Sequence, residues 1–149
     1  MTLRPLTAAD RSLLAGFTCS RIGEPWTEAV QHTIRHELAP QIATGVVTAV
    51  GRFDQDGRLC GLAAWRIYDV VPPVLCRGDI VAVAIGQQRK GHGRVLKNTL
   101  LQAAREAGAV AVSSVVHREN RAMIHLNQQL GAVVDTSRDD DHCFCVIPL

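Results

Sequence analysis

Apolar residues recur at two different spacings along the chain, and the two spacings predict different elements. Intervals of three or four residues predict a helix over 25–38 that Pro40 would end. The same spacing predicts a second long helix over 95–107, with a buried stripe of Leu96, Leu100, Ala103 and Ala107. Stretches rich in β-branched residues, or alternating apolar and polar, predict strands at 2–6, 46–53, 59–67, 79–85, 109–116, 132–136 and 142–147.

Cap and turn signals agree with these elements. Thr7, with Asp10 three residues later, resembles a capping box and predicts a short helix after the first strand. Asp56-Gly57 predicts a hairpin. Asn120 is a suitable cap for a late helix, whose predicted buried stripe is Met123, Leu126 and Leu130. The resulting order is β-α-α-β-β-β-α-β-α-β-β, which indicates an α+β fold with a mixed sheet and a single domain over 1–149.

Composition excludes several classes of protein. Hydrophobic residues make up 47% of the chain and charged residues 20%, which is typical of a globular protein. A net charge of +2 is too small to predict binding to nucleic acid or to an anionic membrane. No 18-residue apolar run or signal-peptide core is visible, so a soluble, cytoplasmic protein is expected. The five cysteines form no C-x-x-C pair and are expected to be buried hydrophobes, with no metal site.

The candidate chemistry is concentrated in residues 88–94, between the strand over 79–85 and the helix over 95–107. Gly91 and Gly93 have no Cβ to keep a ligand away from the backbone. The N–H groups and the positive dipole end of the helix start favour an anion. Basic side chains add to this charge, at Arg89, Lys90 and Arg94. The loop therefore predicts a site for a phosphate or pyrophosphate.

Two better-known phosphate loops do not fit. His92-Gly93 stands where a P-loop needs Lys and Ser or Thr, and Leu96 stands where a dinucleotide fingerprint needs its third glycine. The pattern Gln/Arg-x-x-Gly-x-Gly after a Val-x-Ile strand end resembles motif A of the GNAT superfamily of acyl-CoA-dependent N-acyltransferases. The resemblance extends over the whole chain through the order of elements. It implies a central, mixed, mostly antiparallel sheet flanked by helices, and acetyl-CoA as co-substrate.

The resemblance also implies which residues bind the cofactor. Loop amides would hold the pyrophosphate, and the backbone at the strand end would pair with the pantetheine arm. The implied cofactor-binding residues are Val83, Ala84, Ile85, Gln88, Arg89, Lys90, Gly91, His92, Gly93, Arg94, Asn120 and Asn127.

Attack on a thioester requires a neutral amine, whereas an alkylamine with a pKa of about 10.4 is mostly protonated at neutral pH. A general base is therefore expected. Asp79, near the start of the strand before the loop, is the first candidate, because members of the family often have a carboxylate there. Weaker candidates are Glu28, His36, Glu37 and His117. The family's late-helix tyrosine, an acid for the leaving thiolate, is replaced here by Asn127. His125, close by in sequence, is expected to lie on the surface.

The sequence therefore predicts an N-acetyltransferase that acts by direct attack in a ternary complex. Its acceptor would be the amine of a small molecule or peptide, with a monomer or homodimer expected. Two alternatives stay open. One is a catalytically silent acyl-CoA-binding module, which the missing tyrosine suggests. The other is a toxin-like member acting on aminoacyl-tRNA, which the Phe17-x-Cys19 segment faintly resembles. Residues 17–24 could shape the acceptor pocket or merely connect two helices. Residues 139–141, all aspartate, could attract a cationic acceptor or simply be solvated.

Overall fold

A computed structural model describes all 149 residues of the chain. Seven strands form one sheet in the order β1-β2-β3-β4-β5-β7-β6. The strands are β1 Thr2–Pro5, β2 Thr48–Phe53, β3 Leu59–Tyr68, β4 Leu75–Val83, β5 Ala111–His117, β6 Val133–Asp135 and β7 His142–Pro148. The helices are α1 Arg11–Ala15, α2 Pro25–His36, α3 Leu38–Ala43, α4 His92–Glu106 and α5 Arg121–Gln129. A 3₁₀ turn, Ala8–Asp10, precedes α1.

The sheet is mixed and mostly antiparallel, as predicted. β2 pairs antiparallel with β1 and β3, and β7 pairs antiparallel with β5 and β6. β4 and β5 are parallel, and their ladder consists of Cys76 opposite Val112 and Arg77 opposite Ser113. The ladder ends at Arg77, although β4 continues to Val83. The α+β class and the mixed, mostly antiparallel sheet are thereby confirmed.

The chain forms two compact units, each with its own apolar cluster. The first unit comprises Met1–Trp65 and Ile80–Lys97. Its core includes Leu14, Ile34 and Leu62, all fully buried. The second unit comprises Arg66–Asp79 and Asn98–Leu149. In that unit Val116, Cys143 and Cys145 form a buried cluster, against which residues of α5 and β6 pack. None of the helices has the combination of length and apolar character that a membrane span requires.

The predicted helix over 25–38 is two helices, α2 and α3, and Pro40 does not end it. Pro40 lies in the first turn of α3, which starts at Leu38. The first four N–H groups of a helix have no partner within the helix, so a proline there loses no hydrogen bond. The predicted start of β4 near Gly78 is also wrong, because the strand begins at Leu75. Asp79 consequently lies in the middle of β4 and not at its start.

Two predicted helix stripes need correction. Beyond its first residue, His92, the buried positions of α4 are Leu96, Lys97, Leu100, Leu101 and Ala104, so the stripe passes through Ala104 instead of Ala103 and Ala107. In α5 the only fully buried residue is Asn127, while Met123, Leu126 and Leu130 are half-buried. Alanine is only weakly hydrophobic and asparagine is polar, so the spacing of apolar residues did not identify Ala104 and Asn127 as buried positions.

The predicted helix caps and the predicted hairpin turn are present in the structure. Thr7 and Asp10 form the capping box: the Thr7 hydroxyl accepts from Ala9 N, and the Asp10 carboxylate accepts from Thr7 N. Gly57 has a φ of 78°, and the turn joins the antiparallel strands β2 and β3. The Asn120 side chain caps α5 by accepting from Met123 N. All five cysteines are buried, as expected, and each is a free thiol.

Candidate functional site

The segment between β4 and α4 is shaped by residues in left-handed backbone conformations. Gly86 has a φ of 83° and Gly91 a φ of 82°, a region that side chains with a Cβ rarely adopt. Arg89 adopts a φ of 63° despite its side chain. These turns carry the chain from the end of β4 directly into the first residue of α4, His92. The helix is 15 residues long, so its N-terminus carries the full dipole.

Gly93 is a glycine that the fold itself does not require. Its φ lies outside the left-handed region, and an added Cβ would meet no atom within 4 Å. An added Cβ at Gly91 would also meet open space, although the backbone there is left-handed. The neighbouring basic residues in sequence, Arg89, Lys90 and Arg94, are exposed. Open space above backbone amides at a helix start, with basic side chains beside it, fits a phosphate group.

The strand end before the loop is less available than the sequence suggested. Ala84 N donates to Cys60 O, and Ile85 N donates to Thr18 O, both at 2.8 Å. The Gln88 side chain folds back, with its Nε2 3.5 Å from Val83 O. A ligand arm that pairs with this stretch therefore cannot use the Ala84 and Ile85 N–H groups. Those two amides instead fix the strand end within its own unit.

His92 turns its side chain inward. It is 3% exposed, and neither ring nitrogen has a hydrogen-bond partner. Burial, with Arg52 and Lys90 nearby, holds the pKa of His92 below its usual range. A ligand at the loop can therefore contact the backbone of His92 but not its imidazole.

Asp79, the predicted base, is held by two arginines. Its Oδ2 accepts from Arg66 Nε at 2.6 Å, and its Oδ1 lies 3.2 Å from Arg77 Nε. The Arg66 contact is a hydrogen bond, whereas the Arg77 contact is an ion pair by distance without hydrogen-bond geometry. Sequence reasoning missed Arg66. The signal available was a charged residue near the end of an apolar strand, β3, that precedes the strand carrying Asp79.

Asn127 is completely buried, and neither atom of its side-chain amide has a partner. A buried amide without partners costs about 1–3 kcal/mol, which makes Asn127 a candidate for contact with a ligand. Asn120, by contrast, uses its Oδ1 to cap α5. Asp79, Asn120 and Asn127 belong to the second unit, whereas residues 83–94 belong to the first.

The remaining candidates have local roles. Glu28, His36 and Glu37 are exposed at α2 and its C-terminal end, and His125 is exposed on α5 as predicted. His117 Nδ1 accepts from Glu119 N. In the acidic turn, Asp139 Oδ1 accepts from Asp141 N and His142 N, and the first of these bonds is the main reason that its pKa is lowered. Asp139 therefore serves its own turn, which favours the structural interpretation of that charge run.

Residues 17–21 are more than a loose connector. Arg35 Nε donates to Phe17 O at 2.7 Å, and Gln31 Oε1 accepts from Cys19 N and Ser20 N at 2.8 and 2.9 Å. Thr27 Oγ1 accepts from Arg21 N. Three side chains of α2 thus hold this segment in place, and the segment in turn accepts the Ile85 N–H at the end of β4 through Thr18 O.

Solved structures share this fold over the full chain. A PaiA N-acetyltransferase from Thermoplasma acidophilum in complex with coenzyme A has a TM-score of 0.79 at 15% identity, with 100% of both chains covered. A ribosomal-protein-alanine N-acetyltransferase from Brucella melitensis has a TM-score of 0.72 at 18% identity, again with 100% of both chains covered. A structure described as a bacterial toxin has a TM-score of 0.73 at 15% identity, covering 98% of this chain and 90% of the other.

No curated protein sequence matches the chain. The family model described as the acetyltransferase (GNAT) family matches residues 12–132, which include the loop, α4 and the whole of α5. The match covers well over half of the chain and agrees with the fold and with the motif at residues 88–94. The chain is a member of the GNAT family of acetyltransferases.

Proposed function

We propose that this chain transfers an acetyl group from acetyl-CoA to a primary amine, by direct attack within a ternary complex. The observation that carries the proposal is the loop at the start of α4, where a Cβ added at Gly91 or Gly93 would meet open space and the basic residues next to them in sequence are exposed. The structural neighbour with coenzyme A bound has the same fold along its whole length. The acceptor would be the amine of a small molecule or of a peptide.

The chain's own residues would divide the work as follows. Backbone amides of residues 88–94 would hold the pyrophosphate, and the Arg89, Lys90 and Arg94 side chains would add charge. Asn120 would contribute only its amide nitrogen, since its oxygen caps α5. When bound, acetyl-CoA would supply an acetyl group activated as a thioester. The single domain proposed for this activity is the whole chain, 1–149.

Two further roles are proposed for polar residues of the second unit. Asp79 would accept the proton of the attacking amine, directly or through water. Asn127 would position the thioester, because a buried amide can donate and accept hydrogen bonds but cannot deliver a proton. A thiol has a pKa of about 8.5, so solvent or the proton released by the amine can protonate the leaving thiolate. A dedicated acid in α5 is then not needed.

Two measurements test the proposal. Calorimetry at low salt should show binding of acetyl-CoA, and the release of free thiol from acetyl-CoA should depend on which amine is added. Absence of heat with both CoA and acetyl-CoA would refute the proposed cofactor.

A second candidate function is silent binding of acyl-CoA, favoured by the asparagine at the late-helix position. It predicts binding with background thiol release for every amine in the panel. A third is acetylation of an aminoacyl-tRNA, favoured by the likeness to a structure described as a bacterial toxin. It predicts that charged tRNA, unlike the small amines, stimulates thiol release. The net charge of +2 counts against it.

A further inference from the structure

Arg66, Arg77 and Asp79 form a small charged cluster on β3 and β4, entirely within the second unit. Asp79 contacts both arginines through their Nε atoms, one at 2.6 Å and the other at 3.2 Å. No terminal Nη atom of either arginine donates a hydrogen bond within the chain. A single carboxylate therefore contacts two guanidinium groups, through a hydrogen bond to Arg66 and an ion pair with Arg77, and their terminal nitrogens stay available to a ligand.

The two arginine side chains of the cluster are more exposed to solvent than the aspartate. Asp79 is 12% exposed, Arg66 29% and Arg77 53%, so the carboxylate lies beneath and the guanidinium groups lie nearer to solvent. The hydrogen bond to Asp79 raises the pKa of Arg66, which keeps it charged. The nearest acidic residue in sequence, Asp69, is exposed and forms no ion pair with either arginine. Two positive charges and one negative charge leave the cluster with one net positive charge.

This arrangement suits a planar anion. The terminal nitrogens of arginine form a fork that matches the two oxygens of a carboxylate, and such paired bonds are stronger than neutral ones. We propose that Arg66 and Arg77, aligned by Asp79, bind a carboxylate of the acceptor, so that the preferred acceptor is an amine that carries a carboxylate close to the amino group.

The inference rests on the proposed acetyl transfer, and it refines the acceptor class. It also gives Asp79 a positioning role that does not require it to take a proton. The two roles have different consequences. Loss of a base slows acetylation of every amine, whereas loss of alignment slows acetylation of amines with a carboxylate more than that of neutral amines.

Direct binding can be measured without acetyl transfer. N-acetylglycine carries the carboxylate, and N-acetylglycinamide is its neutral counterpart. In the full-length protein labelled with ¹⁵N-arginine, N-acetylglycine should shift the Nε–H signals assigned to Arg66 and Arg77, and N-acetylglycinamide should not. Absence of any shift, in a protein that binds acetyl-CoA by calorimetry, would overturn the inference and leave the proposed function intact. Shifts in a protein that fails to bind acetyl-CoA would support the anion site and refute the proposed function.

Kinetics supply the second arm. The ratio of kcat/KM for glycine to that for glycinamide should fall about 10- to 100-fold in Arg66→Gln and in Arg77→Gln, since each loses a charge-assisted hydrogen bond to the carboxylate. Arg66→Lys should restore only part of the ratio, because lysine has charge but no fork. Arg105→Gln, at an exposed site on α4, is the control and should leave the ratio unchanged. Arg77 is the more exposed partner, so its variant remains informative if Arg66→Gln does not fold. An unchanged ratio in both glutamine variants would contradict the inference.

Discussion

Gly93 is the residue at which ligand binding and folding can be separated. A Cβ added there would meet no atom within 4 Å and the backbone φ is ordinary, so Gly93→Val should leave the fold and its thermal midpoint almost unchanged. The valine would occupy the space proposed for the phosphates, and loss of two or more charge-assisted bonds should weaken acetyl-CoA binding by more than about 100-fold. Calorimetry measures the affinity and circular dichroism the midpoint. Gly16→Ala, whose Cβ would make only ordinary contacts, is the control. Normal acetyl-CoA affinity in Gly93→Val would show that the phosphates bind elsewhere.

Asp79 is the residue whose proposed roles most need separation. As a general base it would contribute about 10²–10⁴-fold, so Asp79→Asn should slow acetylation by that amount. The loss should be greatest at the acid end of the pH profile, where fewer amines are already neutral. The rate should be measured with a neutral acceptor, glycinamide, to avoid the effect on carboxylate binding. Asp69→Asn, at an exposed site without an ion pair, is the control. A loss of less than about threefold at every pH would return Asp79 to a positioning role.

His92 allows a prediction on stability. Its two ring nitrogens are buried without partners, and leaving such a group unsatisfied costs about 1–3 kcal/mol. His92→Leu, similar in size and apolar, should therefore raise the free energy of unfolding by about 1 kcal/mol. Denaturant unfolding at pH 7.5 measures this gain. Because only the backbone of His92 faces the loop, the affinity for acetyl-CoA should stay the same. A large loss of affinity would show that the imidazole belongs to the site.

The same residue should make stability depend on pH. In the unfolded chain His92 is protonated below about pH 6.5, whereas in the native state its lowered pKa delays protonation to a more acidic pH. Between these two values the unfolded state binds more protons, so stability falls as the pH drops below about 6.5. His92→Leu should remove this component of the decline. His125→Gln, at an exposed histidine, should not. Equal pH dependence in the wild type and His92→Leu would contradict the assignment.

At the scale of single residues, sequence alone could identify the loop but not the direction of each side chain. The spacing of Gly91 and Gly93 predicted a loop that leads into a helix, and α4 does begin there, at His92; the anion site at this loop stays a prediction. The burial of His92 and Asn127 could not be predicted, because polar residues are ordinarily expected on the surface and spacing rules count only apolar ones. The Arg66–Asp79 pair depends on the register of two strands, which the sequence does not specify.

At the scale of elements, α5 carries the next prediction. It presents Asn127 as its only fully buried residue, with both amide atoms unpaired. If this amide positions the thioester, Asn127→Ala should mainly raise the KM for acetyl-CoA, by about 10-fold for one lost hydrogen bond. Asn127→Tyr should gain little, because proton delivery would not be limiting. Gln128→Ala, exposed on the same helix, is the control.

Two outcomes in steady-state kinetics would count against that role of α5. One is a collapse of kcat in Asn127→Ala with unchanged cofactor affinity, which would indicate a direct part in the chemistry. The other is a large gain in Asn127→Tyr, which would show that protonation of the leaving thiolate limits the native enzyme.

Element boundaries show where pattern reasoning succeeds. All seven strands were predicted, because alternating or β-branched runs bounded by turn residues are a strong signal. Helix breaks were harder. Pro40 is a stop signal inside a helix and a tolerated residue in a first turn, and only the structure shows which applies. In α4 the buried alanine is Ala104. The segment contains three alanines, and their similar hydrophobicity gives no means of choosing the buried one from the sequence.

At the scale of the whole molecule, the order of strands and helices was predicted except for the division of the helix over 25–38 into α2 and α3. The fold that this order produces is shared by N-acetyltransferases with only 15–18% identity to this chain. The acceptor was not predictable, because a fold can serve many substrates and the choice depends on a few side chains. In the proposal made above, that choice depends on Arg66 and Arg77, which both contact Asp79.

The last prediction concerns cooperativity. Three elements cross the boundary between the two compact units: β3, β4 and α4 each contribute residues to both. Neither unit can unfold without breaking a continuous strand or helix, so we expect one unfolding transition, as for most domains of fewer than about 150 residues. Both tryptophans, Trp26 and Trp65, report on the first unit, and amide exchange in β5 and β7 reports on the second.

The two probes should give the same denaturant midpoint. Acetyl-CoA at 100 times its dissociation constant should raise the free energy of unfolding by about 2.7 kcal/mol as measured by either probe, since it binds only the native state. Gly93→Val, the variant that should not bind, should show no such increase at either probe. Separate midpoints, or stabilisation confined to the tryptophans, would show that the two units unfold independently and would contradict a single domain over 1–149.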